Sequence, residues 1–175
     1  MKTFSSYSHN GSVIAVKAPE THSDFNYLCN IAIAQNMFLN TDSMFYKLLN
    51  RERYYIRHIT AIMLEDQIYG LSLIWDYAQR AVDLKRVESI DKLFEYGFLQ
   101  HAIGVFMAPS HRRGRIGSMI TNYNMRSFED KVFCVGDSIE QQKFWMSPYV
   151  DKTYLDFMLI NQSATKITFN KPQLK

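Results

Sequence analysis

With 175 residues the chain has room for one domain and a single core of useful size, which excludes multi-domain machines. Its 47% hydrophobic and 21% charged residues are those of a soluble globular protein rather than a disordered one. A formal charge of +3 suits an anionic ligand but falls well short of a protein that coats nucleic acid. Two distant cysteines, Cys29 and Cys134, read as buried thiols in a reducing compartment rather than a disulfide framework. The opening MKTFSSYSHNGS has no apolar signal-peptide core, and no segment reaches the roughly 18 apolar residues of a membrane span. The expected location is the cytoplasm, with no membrane contact.

In chain order, Ser12 to Lys17 (SVIAVK) reads as the strand that opens the sheet, after an Asn10-Gly11 turn signal. Thr21 to Asp24 offers N-caps for a helix in which Phe25, Leu28, Cys29, Ala32 and Ile33 recur at helical spacing to about Gln35. Thr41 or Asp42 then caps a second helix carrying Met44, Phe45, Leu48 and Leu49 on one side. Tyr54 to Leu64 and Ile68 to Trp75, joined by Glu65-Asp66, read as an antiparallel hairpin rich in β-branched and aromatic residues. Residues 78 to about 95 read as one helix, with Val82, Val87, Ile90, Leu93 and Phe94 spaced mostly by three or four. His101 to Met107 is a strand, Pro109 to Arg115 a loop, and Ile116 to about Phe128 a helix with Ile116, Met119, Ile120 and Tyr123 on its inner side. Val132 to Val135 is a short buried strand and Ser138 to Met146 a helix, after which Lys152 to Ile160 and Lys166 to Phe169 close the sheet. The fold class is therefore α+β: a mixed, mostly antiparallel central sheet flanked by helices, in one domain spanning residues 1–175.

The most informative stretch is Val105 to Ser118 (VFMAPSHRRGRIGS). A helix that begins right after a strand aims several unpaired N–H groups, and the positive end of its dipole, at whatever fills the gap. Phosphate suits that place. Gly114 and Gly117 let backbone approach an anion without an intervening Cβ, and Arg112, Arg113 and Arg115 add charge and bidentate donors. On charge alone, the same cluster reads as a solvated basic turn or a nucleic-acid contact.

The order of residues separates these readings. The stretch resembles the signature of the GNAT superfamily of acyl-CoA-dependent N-acyltransferases: a strand, a hydrophobic-x-Pro turn, then Arg/Gln-x-x-Gly-x-Gly/Ala opening a helix. Met107 to Pro109 falls on the strand end, Arg112 on the Arg/Gln and Gly117 on the second glycine, while Arg115 stands where the first glycine is expected. Downstream, Ser138 to Val150 looks like the family's cap-helix segment, with Ser138 at its Asn, Phe144 at its Phe and Trp145 at its Tyr. The order of elements follows the superfamily over nearly the whole chain, with residues 78–95 as an extra helix.

The resemblance implies transfer of an acetyl (acyl) group from acetyl-CoA to a primary amine by direct attack on the thioester. It implies that the backbone of Val105, Phe106 and Met107 pairs with the pantetheine arm. Arg112, Arg113, Gly114, Arg115, Ile116, Gly117, Ser118 and Ser138 would then surround the rest of coenzyme A. In family members that use a glutamate base, that residue lies six positions before the hydrophobic residue of the turn, and His101 stands there. An imidazole is a competent base at neutral pH. Trp145 replaces the tyrosine that many members use to protonate the thiolate; Tyr149, one helical turn on, is the candidate acid if the chain bends at Ser147-Pro148, and the alternative is a thiolate that leaves unprotonated. The aromatic residues Phe45, Tyr46, Tyr54, Tyr55, Tyr69, Trp75 and Tyr77 fall on the elements that line the family's acceptor groove. The acceptor is an amine of a small molecule, of a protein lysine or N-terminus, or of a nucleic acid, and a homodimer is the expected assembly.

His9, His22, His58 and His111 show no ligand-like pairing, so no metal is expected. The chain also lacks a Gly-x-x-x-x-Gly-Lys-Ser/Thr loop, a Gly-x-Gly-x-x-Gly, a Cys-x-x-Cys and a Gly-x-Ser-x-Gly. Arg115 and Trp145 motivate a competing reading, a GNAT-like fold that has lost catalysis and serves as a regulator or binding module.

Overall fold

The computed structural model describes residues 1–9, 11–35, 38, 43–108 and 115–169. The strands are β1 (Lys2–His9), β2 (Ser12–Ala18), β3 (Ile56–Leu64), β4 (Gln67–Asp76), β5 (His101–Met107), β6 (Val132–Val135), β7 (Leu155–Ile160) and β8 (Thr165–Thr168). They form one eight-stranded sheet in sequence order. β5–β6 and β6–β7 are parallel and the other neighbours antiparallel, which is the mixed, mostly antiparallel sheet expected. The helices are α1 (His22–Ala34), α2 (Met44–Asn50), α3 (Tyr77–Asp83), α4 (Ile90–Glu95), α5 (Ile116–Phe128) and α6 (Ile139–Met146). None is long and apolar enough to cross a membrane.

Strand alternation sends side chains to two cores. On one face Leu28 of α1 and Leu48 and Leu49 of α2 pack with Ile59, Leu71, Leu73, Trp75, Phe133 and Phe157. On the other, Ile74, Ile103, Cys134 and Met158 meet Met125 of α5 and Trp145 of α6, and Ile120 of α5 packs with Ile14, Val16 and Ile62. Both cysteines are buried and unpaired; burial pushes the Cys29 thiol up to about 11 and raises that of Cys134 as well.

Several expectations are corrected. The sheet opens with β1, not with Ser12; its serine-rich sequence carries little strand propensity, but pairing with β2 and stacking of Phe4 on Tyr123 (5.0 Å) hold it in place. Gly11 takes φ +79° in the turn between them. Ser43 caps α2, accepting a hydrogen bond from the Tyr46 amide (3.2 Å), whereas Thr41 and Asp42 lie outside the described residues. Tyr54 and Tyr55 form a 3₁₀ turn, Arg53–Tyr55, before β3 begins at Ile56.

The single helix expected over 78–95 is two, because Lys85 takes a left-handed φ of +57°. Its N–H donates to Val82 O and that of Arg86 to Ala81 O, both at 2.9 Å, the Schellman arrangement that ends α3. Gly97 (φ +87°) closes α4 in the same way. The buried Arg80 donates to Glu52 (2.9 Å) and ties α3 back to the 3₁₀ turn.

Candidate functional site

β5 pairs with β4 along its whole length, from Asp76↔His101 to Gly70↔Met107. Its ladder with β6 is the single pair Ala102↔Phe133. Beyond Ala102 the two parallel strands diverge, and Gly104 to Met107 are half-buried although they belong to a central strand. A wedge therefore opens on the side of β5 facing β6. Val105 and Met107 look toward α5 and pack with Ile120 and its neighbours, while Phe106 looks the other way and meets the Phe38 ring at 4.6 Å.

α5 starts at the mouth of this wedge. α1, α2, α3, α4 and α6 each begin with a Ser, Thr or Asp whose side chain accepts from a first-turn amide. α5 has Arg115 at that position and no side-chain cap among the described residues. The Ser118 hydroxyl donates to Arg115 O (2.8 Å), and Ile116 is half-buried against the Ile14, Val16 and Ile62 cluster.

Gly117 is buried, and a Cβ there would sit 3.2 Å from the Phe144 ring and 3.5 Å from Met107 Cγ. Its observed role is close contact between the start of α5, the end of β5 and α6. Arg112, Arg113 and Gly114 lie outside the described residues.

Arg115 is exposed; its guanidinium carbon lies 3.9 Å from the centroid of the Tyr149 ring, and Nη2 donates to Tyr149 Oη (2.7 Å). It thus points outward from the helix terminus, not into it. Tyr149 is 49% exposed, and its carbonyl accepts from the Asn122 side chain (2.9 Å), which fastens the segment after α6 along the outer side of α5. Ser138 caps α6, accepting from the Gln141 amide (3.2 Å), while the Gln141 side chain accepts from the amide of Asp137 (2.7 Å), one residue before the N-cap that a capping box would use. Trp145 is 2% exposed and belongs to the core beneath α6.

His101 occupies the opposite end. It is half-buried, and its ring meets that of Phe128, the last residue of α5, edge to face at 4.9 Å. Burial holds its pKa below 6.5, against the pull of Asp76 and Asp130 in the other direction and with a small push from Arg57. Tyr149 lies at Arg115 and His101 at Phe128, so the two are separated by the length of α5, thirteen residues or about 20 Å. The structure gathers Met107, Arg115, Gly117, Phe144 and Tyr149 at one mouth and leaves His101 apart from them.

Beneath α5 lies a polar cluster that the sequence reading missed. Asn124 is fully buried and donates to both Ser72 O and Ser72 Oγ at 3.0 Å. Its remaining oxygen accepts from His58 Nδ1 (2.7 Å), and the Ser72 hydroxyl donates to Gly104 O (3.0 Å). The buried side of α5 is Gly117, Ser118, Ile120, Thr121, Asn124 and Met125, a stripe rotated from the one expected. Thr121 and Asn124, three apart in the same turn as buried apolar residues, were the available signal. Set against protein-family models, curated proteins and solved structures, the chain matches none of them.

Proposed function

We propose that this protein is an acetyl-CoA-dependent N-acetyltransferase of the GNAT type, acting on a primary amine. The observation that carries the reading is the wedge: parallel β5 and β6 meet at Ala102↔Phe133 and part beyond it, with the start of α5 at the mouth. Such an opening offers β5 backbone to an extended pantetheine arm and α5 amides to phosphate. Arg115, exposed at the mouth and resting on Tyr149, supplies a guanidinium to a phosphate beyond the helix terminus. Arg112, Arg113 and Gly114 complete the loop in this reading.

His101 is the base. Its lowered pKa keeps the imidazole neutral at pH 7, as removal of an ammonium proton requires. The amine nitrogen attacks the thioester carbon, the C–S bond breaks, and the amine proton passes to His101, through water if the acceptor lies nearer the mouth. Tyr149 Oη stands with Arg115 at the phosphate end of the wedge, the length of α5 away from His101, so in this reading the sulfur leaves as the thiolate or takes its proton from water. No metal is invoked, and the cytoplasm is the proposed site of action.

A second reading is favoured by the separation of His101 from Tyr149 and by the burial of Trp145: a GNAT-type domain that binds coenzyme A without turnover. Acetyl-CoA consumption screened against mixed amine, peptide and nucleic-acid acceptors separates the two. Thiol release that disappears in His101→Ala while cofactor binding persists supports the enzyme. Binding with no release across all acceptors selects the binding module.

A further inference from the structure

The ladder between β2 and β3 ends at Lys17↔Ala61, whereas β3 continues to Ile56. β2 turns away there through Pro19 into α1, and the gap it leaves is a groove of about 340 Å³. This groove lies at the end of the sheet that holds Ile56, Asp76 and His101, the end opposite the start of α5. Its volume is at the small end of ligand pockets, room for one ring and one polar head.

The lower part of β3 is built to aim side chains into this groove. A register shift between Ile56 and His58 breaks the alternation that would send neighbouring residues to opposite faces, and both Arg57 and His58 line the groove. Each is held by a second group. Arg57 donates to Tyr54 O (2.6 Å) and to Asp76 (3.3 Å), a carboxylate only 7% exposed. That engages two of its N–H groups and leaves about three on a guanidinium that carries five. Because Asn124 spends both amide hydrogens on Ser72, its oxygen faces His58, and Nδ1 is therefore the donor of that bond. Nε2, on the far side of the ring from the buried Asn124, is then an acceptor and holds no N–H for an anion, which leaves Arg57 as the donor.

The other walls complete the chemistry. Phe25 is the half-buried apolar side chain of the lining, Ile56 and Ile59 belong to the core behind it, and Tyr54 stands at the rim with 66% of its surface exposed. The terminus of α1 is already engaged by Thr21, which accepts from the Asp24 amide (3.1 Å). Arg53 is turned toward α1 and α2, donating to Leu49 O, Asn26 and Asn30. Glu20, exposed on the opposite wall and 3.6 Å from the Met1 ammonium, adds a carboxylate that opposes a second negative charge.

We propose that this groove is a binding site for a small aromatic carboxylate, with the carboxylate on the remaining N–H groups of Arg57 and the ring against Tyr54. The site is separate from the wedge and does not depend on the acetyltransferase reading.

Benzoate titrated into the full chain and followed by backbone amide shifts tests it, with acetate, benzyl alcohol and phenyl phosphate as comparison ligands. Benzoate is expected to shift the Ile56 to Ile59 amides saturably, and acetate, benzyl alcohol and the phenyl phosphate dianion to bind at least about tenfold more weakly. Arg57→Gln should abolish the response. Because it also unpairs Asp76, Tyr54→Ala at an exposed position is the second variant, expected to weaken benzoate about tenfold with an unchanged fold. No saturable shift at about 10 mM benzoate, equal binding of acetate, equal binding of phenyl phosphate, or an unaltered affinity in Tyr54→Ala would each overturn the proposal.

Discussion

Asn124 is buried with its whole side-chain amide satisfied: two bonds donated to Ser72 and one accepted from His58, with no exposure to water. Through the Ser72 hydroxyl the same cluster reaches the Gly104 carbonyl of β5, so the strand that edges the wedge is pinned from beneath α5. Asn124→Leu keeps the volume but strips partners from buried groups, and a loss of about 2–3 kcal/mol is expected in urea unfolding.

At His101 the sign follows from its lowered pKa. The folded state favours the neutral ring, so its contribution is complete above the unfolded value of 6.5 and is lost as pH falls below it. Urea midpoints measured from pH 7.5 down to pH 5 should fall less steeply in His101→Gln than in the wild type; parallel slopes would refute the assignment. His101 was legible because its strand is read from a short apolar run. Asn124 was not, because counting apolar residues along a helix passes over a buried amide.

Among the elements, the ends decided what the period did not. Residues 78–95 keep helical spacing throughout, yet a Schellman turn at Lys85 divides them, a conformation that sequence signals only when glycine stands there. Lys85→Gly should therefore raise stability by a few tenths to about 1 kcal/mol in thermal unfolding, since a left-handed Cβ costs more than the glycine's added chain entropy. β1 escaped notice for a related reason: KTFSSYSH is held by pairing and one ring stack rather than by propensity.

Gly117 was legible as a position that needs glycine, but for a different partner from the one observed, the Phe144 ring rather than a phosphate. Gly117→Val drives a branched side chain against Phe144 and Met107. It should cost about 1–3 kcal/mol, displace α6 from α5, and weaken acetyl-CoA binding together with stability.

Over the whole molecule, the strand and helix order from Ser12 onward was readable apart from the 3₁₀ turn before β3 and the division of residues 78–95, because most elements carry a clear period, β5 and α5 to the residue. The wedge was not readable. It follows from how few residues β5 and β6 pair over, a single register pair against a four-residue β6, and pairing between strands is not written in the period of either one.

The central claim is that the wedge and the α5 terminus take up acetyl-CoA, and thermal unfolding of the full chain with increasing cofactor tests it most directly. At 100 times its dissociation constant a bound cofactor adds about 2.7 kcal/mol, a rise in Tm of about 5–10 °C for a chain of this size, and the rise should be lost in Arg112→Ala. An unchanged Tm at about millimolar acetyl-CoA, with coenzyme A equally without effect, would contradict the account.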